Sequence, residues 1–351
     1  MAAPTARSLA SAVLVRVERD QAFAAAALEA ELRRAPQLEA RDRALATELV
    51  YGTLRVAPWL DDQIRLHAAK GTRTLELRTG VELRLAAYQL FFLDRVPAFA
   101  AVSEAVDAVR RARGAKLAGF ANAVLRKLAS DAGEQRNTDS ESRREQAVLA
   151  SAPAWMLGAL ERALGERGAR AFVMSGRSAP PVGLRVESRD ARQRWLTTLA
   201  AADPGATFDL GSVSPHAILA RGAGRLQSLP GWSEGAWSVQ EEGSQLVALA
   251  LGAGPGDSVL DACAGRGNKT AFLARLVGPT GAVDAADLHP SKLETLRAEL
   301  KRLGVAPRAT YAVDWTRGAG DCQGAYDRVL LDAPCSGIGT LRRRPEIASR
   351  R

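Results

Sequence analysis

From residue 239 onward, apolar segments of two periodicities take turns: "QLVALALG", "SVLDACA", "KTAFLARLVG", "GAVDAADL", "SKLETLRAELKRLG", "ATYAVD" and "YDRVLLDAP". Short runs rich in Val, Leu and Ala alternate with longer runs of helical spacing. A chain patterned in this way can bury its short runs only as a parallel sheet flanked by crossover helices. The expected architecture for 239–351 is therefore an α/β, Rossmann-like domain. Its first strand runs into "DACAGRGNKT", where Gly265 and Gly267 permit close backbone approach to a ligand and the following helix start offers free N–H donors. Taken by itself such a turn is shared by many nucleotide sites and by plain βα turns.

The acids narrow the choice. Asp287 closes the second strand about twenty residues after the glycines, where a carboxylate accepts hydrogen bonds from ribose hydroxyls. Asp314 closes the third strand and Asp332 the fourth. Carboxylates at the carboxyl ends of successive parallel strands face the crevice where open α/β sheets bind ligands. "GRGNKT" keeps only two glycines of a dinucleotide fingerprint, and no GxxxxGK[ST] run is present. S-adenosyl-L-methionine carries no phosphate and has a cationic sulfonium, so a ring of carboxylates suits it electrostatically.

Upstream, residues 1–130 read as helix throughout, in a bundle of about five to seven helices broken at Pro and Gly. Residues 131–147, "DAGEQRNTDSESRREQA", are too polar to bury much surface and read as a linker. Residues 148–238 begin with a helix and then mix short strands, a helix and tight turns, as a small α+β subdomain does. A net charge of +9 and a pI near 10 point to an anionic partner, nucleic acid first. Arginine-rich composition without a partner explains the charge equally well. Arg110, Arg111, Arg113 and Lys116 cluster at one place and Arg342, Arg343 and Arg344 at another. Both groups could meet phosphates, or be solvated ends. The three cysteines form no CxxC pair and the three histidines are scattered, so no metal is expected. No leader or membrane span is expected either, and the chain reads as a cytoplasmic monomer.

"VLDACAGRGNKT", "AADLHP", "AVDW" and "LLDAPCSGIGTLRRRPEI" resemble, in order and spacing, the motifs of ribosomal RNA 5-methylcytosine methyltransferases. "ELVYGTLR", "LRLAAYQLFFLDRVPAFAAVSEAV" and "GFANAVLRKL" are similar to the NusB-like RNA-binding domain carried by the RsmB/Sun branch of that family. The resemblance covers the whole chain. It implies S-adenosyl-L-methionine as cofactor and a cytosine of small-subunit ribosomal RNA as substrate. It implies that Cys263, Ala264, Gly265, Arg266, Gly267, Asn268 and Lys269 wrap the methionine part, that Asp287 holds the ribose and that Asp314 faces the adenine. Asp332 then lies between cofactor and base. The family's loop reads CAAPGGKT, so Arg266 stands for Pro and Asn268 for Gly.

The resemblance also gives a role to the thiol of "DAPCSG". Carbon 5 of cytosine becomes nucleophilic when a thiolate adds to carbon 6. Enzymes of this type use two cysteines, one in a Thr-Cys-Ser motif to attack and one in Pro-Cys to assist release. Cys335 matches the second, and the first has no counterpart before Arg351. The expectation is a C-terminally incomplete methyltransferase whose outer strand, "RVLLD", has an open edge. The other reading is a non-catalytic RNA-binding or ribosome-assembly protein with a vestigial methyltransferase fold.

Overall fold

The computed structural model describes residues 4–68, 75–135, 140–176 and 178–349. Two compact units result, one of residues 1–179 with 337–351 and one of residues 180–336.

The first unit is helical: α1 Ala6–Arg19, α2 Ala24–Arg34, α3 Ala40–Arg55, α4 Ala57–His67, α5 Leu77–Phe92, α6 Ala98–Arg113, α7 Ala115–Glu134, α8 Ser140–Ala150 and α9 Ala154–Ser175. Helix α5 is its axis. It is apolar on nearly every side, and Val81, Leu83, Leu85, Ala86, Ala87, Tyr88, Leu90 and Phe91 are all buried. A helix buried all round must satisfy its polar side chains internally. Glu82 accepts the Ser11 hydroxyl at 2.6 Å, and Gln89 donates to Leu85 O at 2.9 Å.

The stretch 131–147, expected to be a linker, is largely helical where described. It supplies the last turn of α7 and the first two turns of α8, while 136–139 lie outside the described residues. Its polarity conceals one anchor. The Arg143 guanidinium is buried and donates to Phe91 O at 2.7 Å and Gln135 O at 2.6 Å, capping carbonyls at two helix ends. Helices α8 and α9 also pack with the helical unit, so the α+β subdomain expected from residue 148 begins only near residue 180.

The second unit carries two four-stranded sheets. In the first, β1 Val182–Val186, β2 Thr207–Leu210, β3 Ala217–Arg221 and β4 Trp237–Val239 pair antiparallel in the order β2-β3-β1-β4. Helix α10 Arg192–Ala202 packs on this sheet through Leu199. In the second sheet, β5 Ser258–Asp261, β6 Ala282–Asp287, β7 Ala309–Ala312 and β8 Arg328–Leu330 are parallel, in the order β7-β6-β5-β8. Helices α11 Glu242–Ala250, α12 Asn268–Val277 and α13 Pro290–Arg302 complete the alternation read from the sequence. Val259, Leu260, Val283 and Ala285 are buried, as strands covered on both faces require. The winding reverses between β5 and β8, so the switch point, where such sheets bind ligands, lies at the carboxyl end of β5. The outer strand β8 leaves Val329 and the following Leu331 exposed.

Candidate active site

The carboxyl end of β5 delivers Asp261, which is 1% exposed. It accepts the Thr270 hydroxyl at 2.7 Å, and this bond ties the strand to the first turn of α12. Burial pushes the Asp261 carboxyl up to about 6; the Thr270 bond and the Lys269 charge oppose that push, and the charges of Asp332 and Asp287 add to it.

Between Asp261 and α12 the chain makes a tight loop. Gly267 caps the helix in the left-handed conformation, with φ 87°. A side chain there would meet Leu296 Cγ at 2.7 Å and Leu300 Cδ1 at 2.8 Å, so glycine is demanded twice over. Asn268, by contrast, is the first helical residue and needs no left-handed tolerance; Gln21 is the one described residue other than glycine with positive φ. Replacing the family's second glycine by Asn at this position therefore leaves the backbone unstrained. Arg266 is exposed, Ala264 is buried, and Cys263 is partly buried.

Asp287, at the end of β6, binds the loop to the next strand. Its Oδ2 accepts Gly265 N–H at 3.0 Å, its Oδ1 accepts His289 N–H at 2.9 Å, and Lys292 Nζ lies 3.3 Å away. Burial raises its pKa, but the His289 amide, Lys292 and the Gly265 amide outweigh it and hold the carboxyl below its ordinary value. Asp287 is thus an anion at neutral pH.

Lys269 reaches from α12 to Asp332, Nζ to Oδ2 2.6 Å, and so joins the loop to the stretch after β8. Asp314 holds a turn of its own, accepting Thr316 N–H at 3.0 Å and the Thr316 hydroxyl at 2.6 Å. Next to it, Trp315 donates its indole N–H to Ala262 O at 2.6 Å, which brings the end of β7 to the glycine loop. Sequence reasoning gives no role to Trp315 or Lys292, and to Thr270 only the helix start. "AVDW" held a signal, since a half-buried Trp seeks a partner for its N–H.

The cysteines separate cleanly. Cys322 is buried with Sγ 3.5 Å from Tyr326 Oη. Cys263 has its thiol pKa raised by burial and by Asp287, Asp261 and Asp332, so it is a poor thiolate. Cys335 is exposed, three residues beyond Asp332. The arginines that follow are engaged in the helical unit. Arg342 donates to Ser178 O and Oγ, both at 3.3 Å, and Arg344 stacks on Phe23. In the other basic cluster Arg110 pairs with Asp107 at 2.6 Å and Arg113 with Glu76.

Among the described residues no group of His, Cys, Asp and Glu could hold a metal ion. Among them no helix is long and apolar enough to cross a membrane.

A glycine loop after the first parallel strand, an acid closing the second and a reversed strand order define a Rossmann-like nucleoside-site domain, preceded in the chain by a helical domain. Family comparison agrees. Residues 4–130 match the NusB family and residues 248–351 match the 16S rRNA methyltransferase RsmB/F family. The probable ribosomal RNA small subunit methyltransferase B of Synechocystis sp. is 32% identical over 349 residues, covering 98% of this chain and 77% of that protein. The protein of the same name from Bacillus subtilis is 32% identical, covering 97% of this chain and 76% of its own. The ribosomal RNA small subunit methyltransferase B of Pseudomonas syringae is 34% identical, covering 89% and 68%. The solved structure of PH0851 matches the fold with a TM-score of 0.76 at 22% identity, over 100% of this chain and 79% of that one. The chain belongs to the ribosomal RNA small subunit methyltransferase B family, and its helical domain is NusB-like.

Proposed function

We propose that this protein transfers a methyl group from S-adenosyl-L-methionine to carbon 5 of a cytosine in small-subunit ribosomal RNA. The observation that carries the reading is the joined set of Asp261, the Gly265–Lys269 loop, Asp287 and Asp332 at the switch point of the parallel sheet. The residues fit the cofactor. Asp287 is an anion with further lone pairs for ribose hydroxyls, and Asp261, Asp287 and Asp332 make the surroundings negative for a sulfonium. Residues 263–269 would hold the methionine part, Asp287 the ribose and Asp314 the adenine edge. When bound, the cofactor supplies an electrophilic methyl group.

The chain's own groups handle the base. Asp332, paired with Lys269, would hold the cytosine edge, and Cys335, three residues on, offers the exposed thiol. Thiolate addition at carbon 6 makes carbon 5 nucleophilic; after methylation, loss of the carbon 5 proton to a base expels the thiolate. In the two-thiol scheme Cys335 assists that release. The NusB-like helices bring the RNA partner, with Arg111 and Lys116 beside the paired Arg110 and Arg113.

Calorimetry with S-adenosylhomocysteine tests the cofactor site. Binding is expected, and Asp287→Ala should weaken it by about 1–3 kcal/mol, the scale for a hydrogen bond to a charged acceptor. An unchanged affinity in the variant, or no binding at all, would remove the cofactor assignment. A second measurement follows methyl transfer from labelled cofactor to unmodified small-subunit ribosomal RNA. If Cys335 assists release, Cys335→Ser should slow that step and leave the protein joined to the RNA. Turnover that vanishes in Cys335→Ser would instead make Cys335 the attacking thiol.

A further inference from the structure

The helical unit contains a cavity of about 720 Å³, and all of its lining residues belong to that unit. A space of this size suits a small organic molecule. Apolar side chains reach it from Val17 on α1, Leu54 on α3, Val148 on α8, Met156 and Phe172 on α9, and Leu341.

Charged groups lie among them, and all but one are matched. The Arg84 guanidinium holds Asp61 at 2.6 Å and Glu18 at 2.5 Å, and Arg65 pairs with Asp62 at 2.6 Å. Glu346 accepts Ala24 N–H at 3.2 Å, and Arg342 donates to Ser178. Arg55 is the exception. It ends α3 and is partly buried, and among the described residues its guanidinium makes no hydrogen bond or ion pair. Its one neighbour of note is the Tyr51 ring, whose centre is 5.9 Å away. Glu48, two turns earlier on α3, is already taken: it accepts the Tyr88 hydroxyl at 2.5 Å and lies 3.8 Å from Arg144. Burial lowers the Arg55 pKa, and Glu48 offsets that only in part.

One positive charge is therefore left over on the cavity wall. A partly buried guanidinium without an acceptor is costly, and an anion entering the cavity would remove that cost. The paired carboxylates of Glu18, Asp61 and Asp62 on the same wall disfavour a ligand of higher negative charge. The apolar walls ask that the single charge be carried on an apolar or planar body. We propose that this cavity binds a small organic anion, its carboxylate, sulfonate or phosphodiester head on Arg55 and its body against Met156, Phe172 and Leu341. None of these residues belongs to the set proposed to hold the methyl donor, and the inference stands independently of that reading.

The test uses the whole 351-residue chain and two fluorescent ligands of similar shape, anionic anilinonaphthalene sulfonate and uncharged phenylnaphthylamine. The sulfonate should bind saturably, and Arg55→Gln should weaken it about 10- to 100-fold, the effect of losing a hydrogen bond to a charged group. The uncharged ligand should bind parent and variant alike. Without ligand, Arg55→Gln should unfold at a temperature no lower than the parent, because an unmatched cation has been removed. Ala152→Trp places an indole in the cavity and should exclude both ligands. Competition then identifies the head group: displacement of the sulfonate by the dinucleoside phosphate uridylyl-uridine assigns it to an RNA backbone, and displacement by decanoate to a free carboxylate. Displacement by neither would overturn the proposal. So would equal weakening of both ligands by Arg55→Gln, or sulfonate binding that ignores the substitution. Should Ala152→Trp fail to fold, the Arg55→Gln comparison decides.

Discussion

Gly267→Val is expected to destabilise the sheet unit by about 2–5 kcal/mol and to abolish S-adenosylhomocysteine binding. Two costs add. At φ 87° any L side chain pushes its Cβ against the following carbonyl, which costs about 1–2 kcal/mol. The same Cβ would stand 2.7 Å from Leu296 Cγ, 2.8 Å from Leu300 Cδ1 and 3.3 Å from Leu296 Cα. Leu296 and Leu300 are fully buried on α13 and have no solvent to swing into, so the overpacking costs about a further 1–3 kcal/mol. The strain is relieved most directly by shifting the start of α12. That movement breaks the Thr270 bond to Asp261 and pulls Lys269 from Asp332, so the binding site is lost with the packing. Gly267→Ala should fall at the lower end of the range. The measurement is thermal unfolding, with hydrogen exchange of the β5 and α12 amides to localise the loss. A valine variant within 1 kcal/mol of the parent, as overpacking rules allow for no buried site of this tightness, would show that the helix start can slide freely.

The parallel sheet and the candidate loop were legible because their signals are local and repeated. Each strand of "SVLD", "AVDAAD" and "ATYA" carries its own apolar run and an acid at or just past its end, so an error in one leaves the others standing. Asn268 was harder. Sequence alone places it where the family has glycine, and only the backbone shows that the left-handed residue is Gly267, one position earlier. The polar stretch 131–147 misled for a related reason. Composition counts apolar area, whereas what orders α8 includes a guanidinium that finds the carbonyl of Gln135 on the preceding helix and that of Phe91, distant in sequence. Likewise "RRRPEI" reads as a free basic run, because nothing near it announces that α2 lacks a cap which Glu346 fills. Long-range satisfaction of a backbone donor leaves no periodicity to find.

One component of the sheet unit's stability should fall as pH rises from 4 to 7, and Asp261→Asn should remove it. Burial is the main cause of the raised Asp261 pKa, about 6 in the fold, against roughly 4 in an unfolded chain. The charged groups facing it are Lys269, which favours ionisation, and Asp332 and Asp287, which oppose it. Below about pH 4 both states carry the proton, and the buried carboxyl costs nothing extra. Between about 4 and 6 the unfolded chain has lost the proton while the native state keeps it, so the native state binds more protons and stability declines with pH. Above about 6 both are ionised and the full cost remains, about 3 kcal/mol for a shift of roughly two units. Asparagine can still accept the Thr270 hydroxyl through its amide oxygen but does not titrate. The advantage of the Asn variant over the parent should therefore be absent near pH 4 and grow to about 3 kcal/mol by pH 7. Other carboxylates titrate in both proteins and cancel in this difference. Hydrogen exchange of the β5 and α12 amides, corrected for intrinsic rates, follows the unit without reference to the helical one. A difference between the two proteins that stays constant from pH 4 to pH 7 would mean that Asp261 is ionised throughout in the fold, and that Lys269 outweighs its burial.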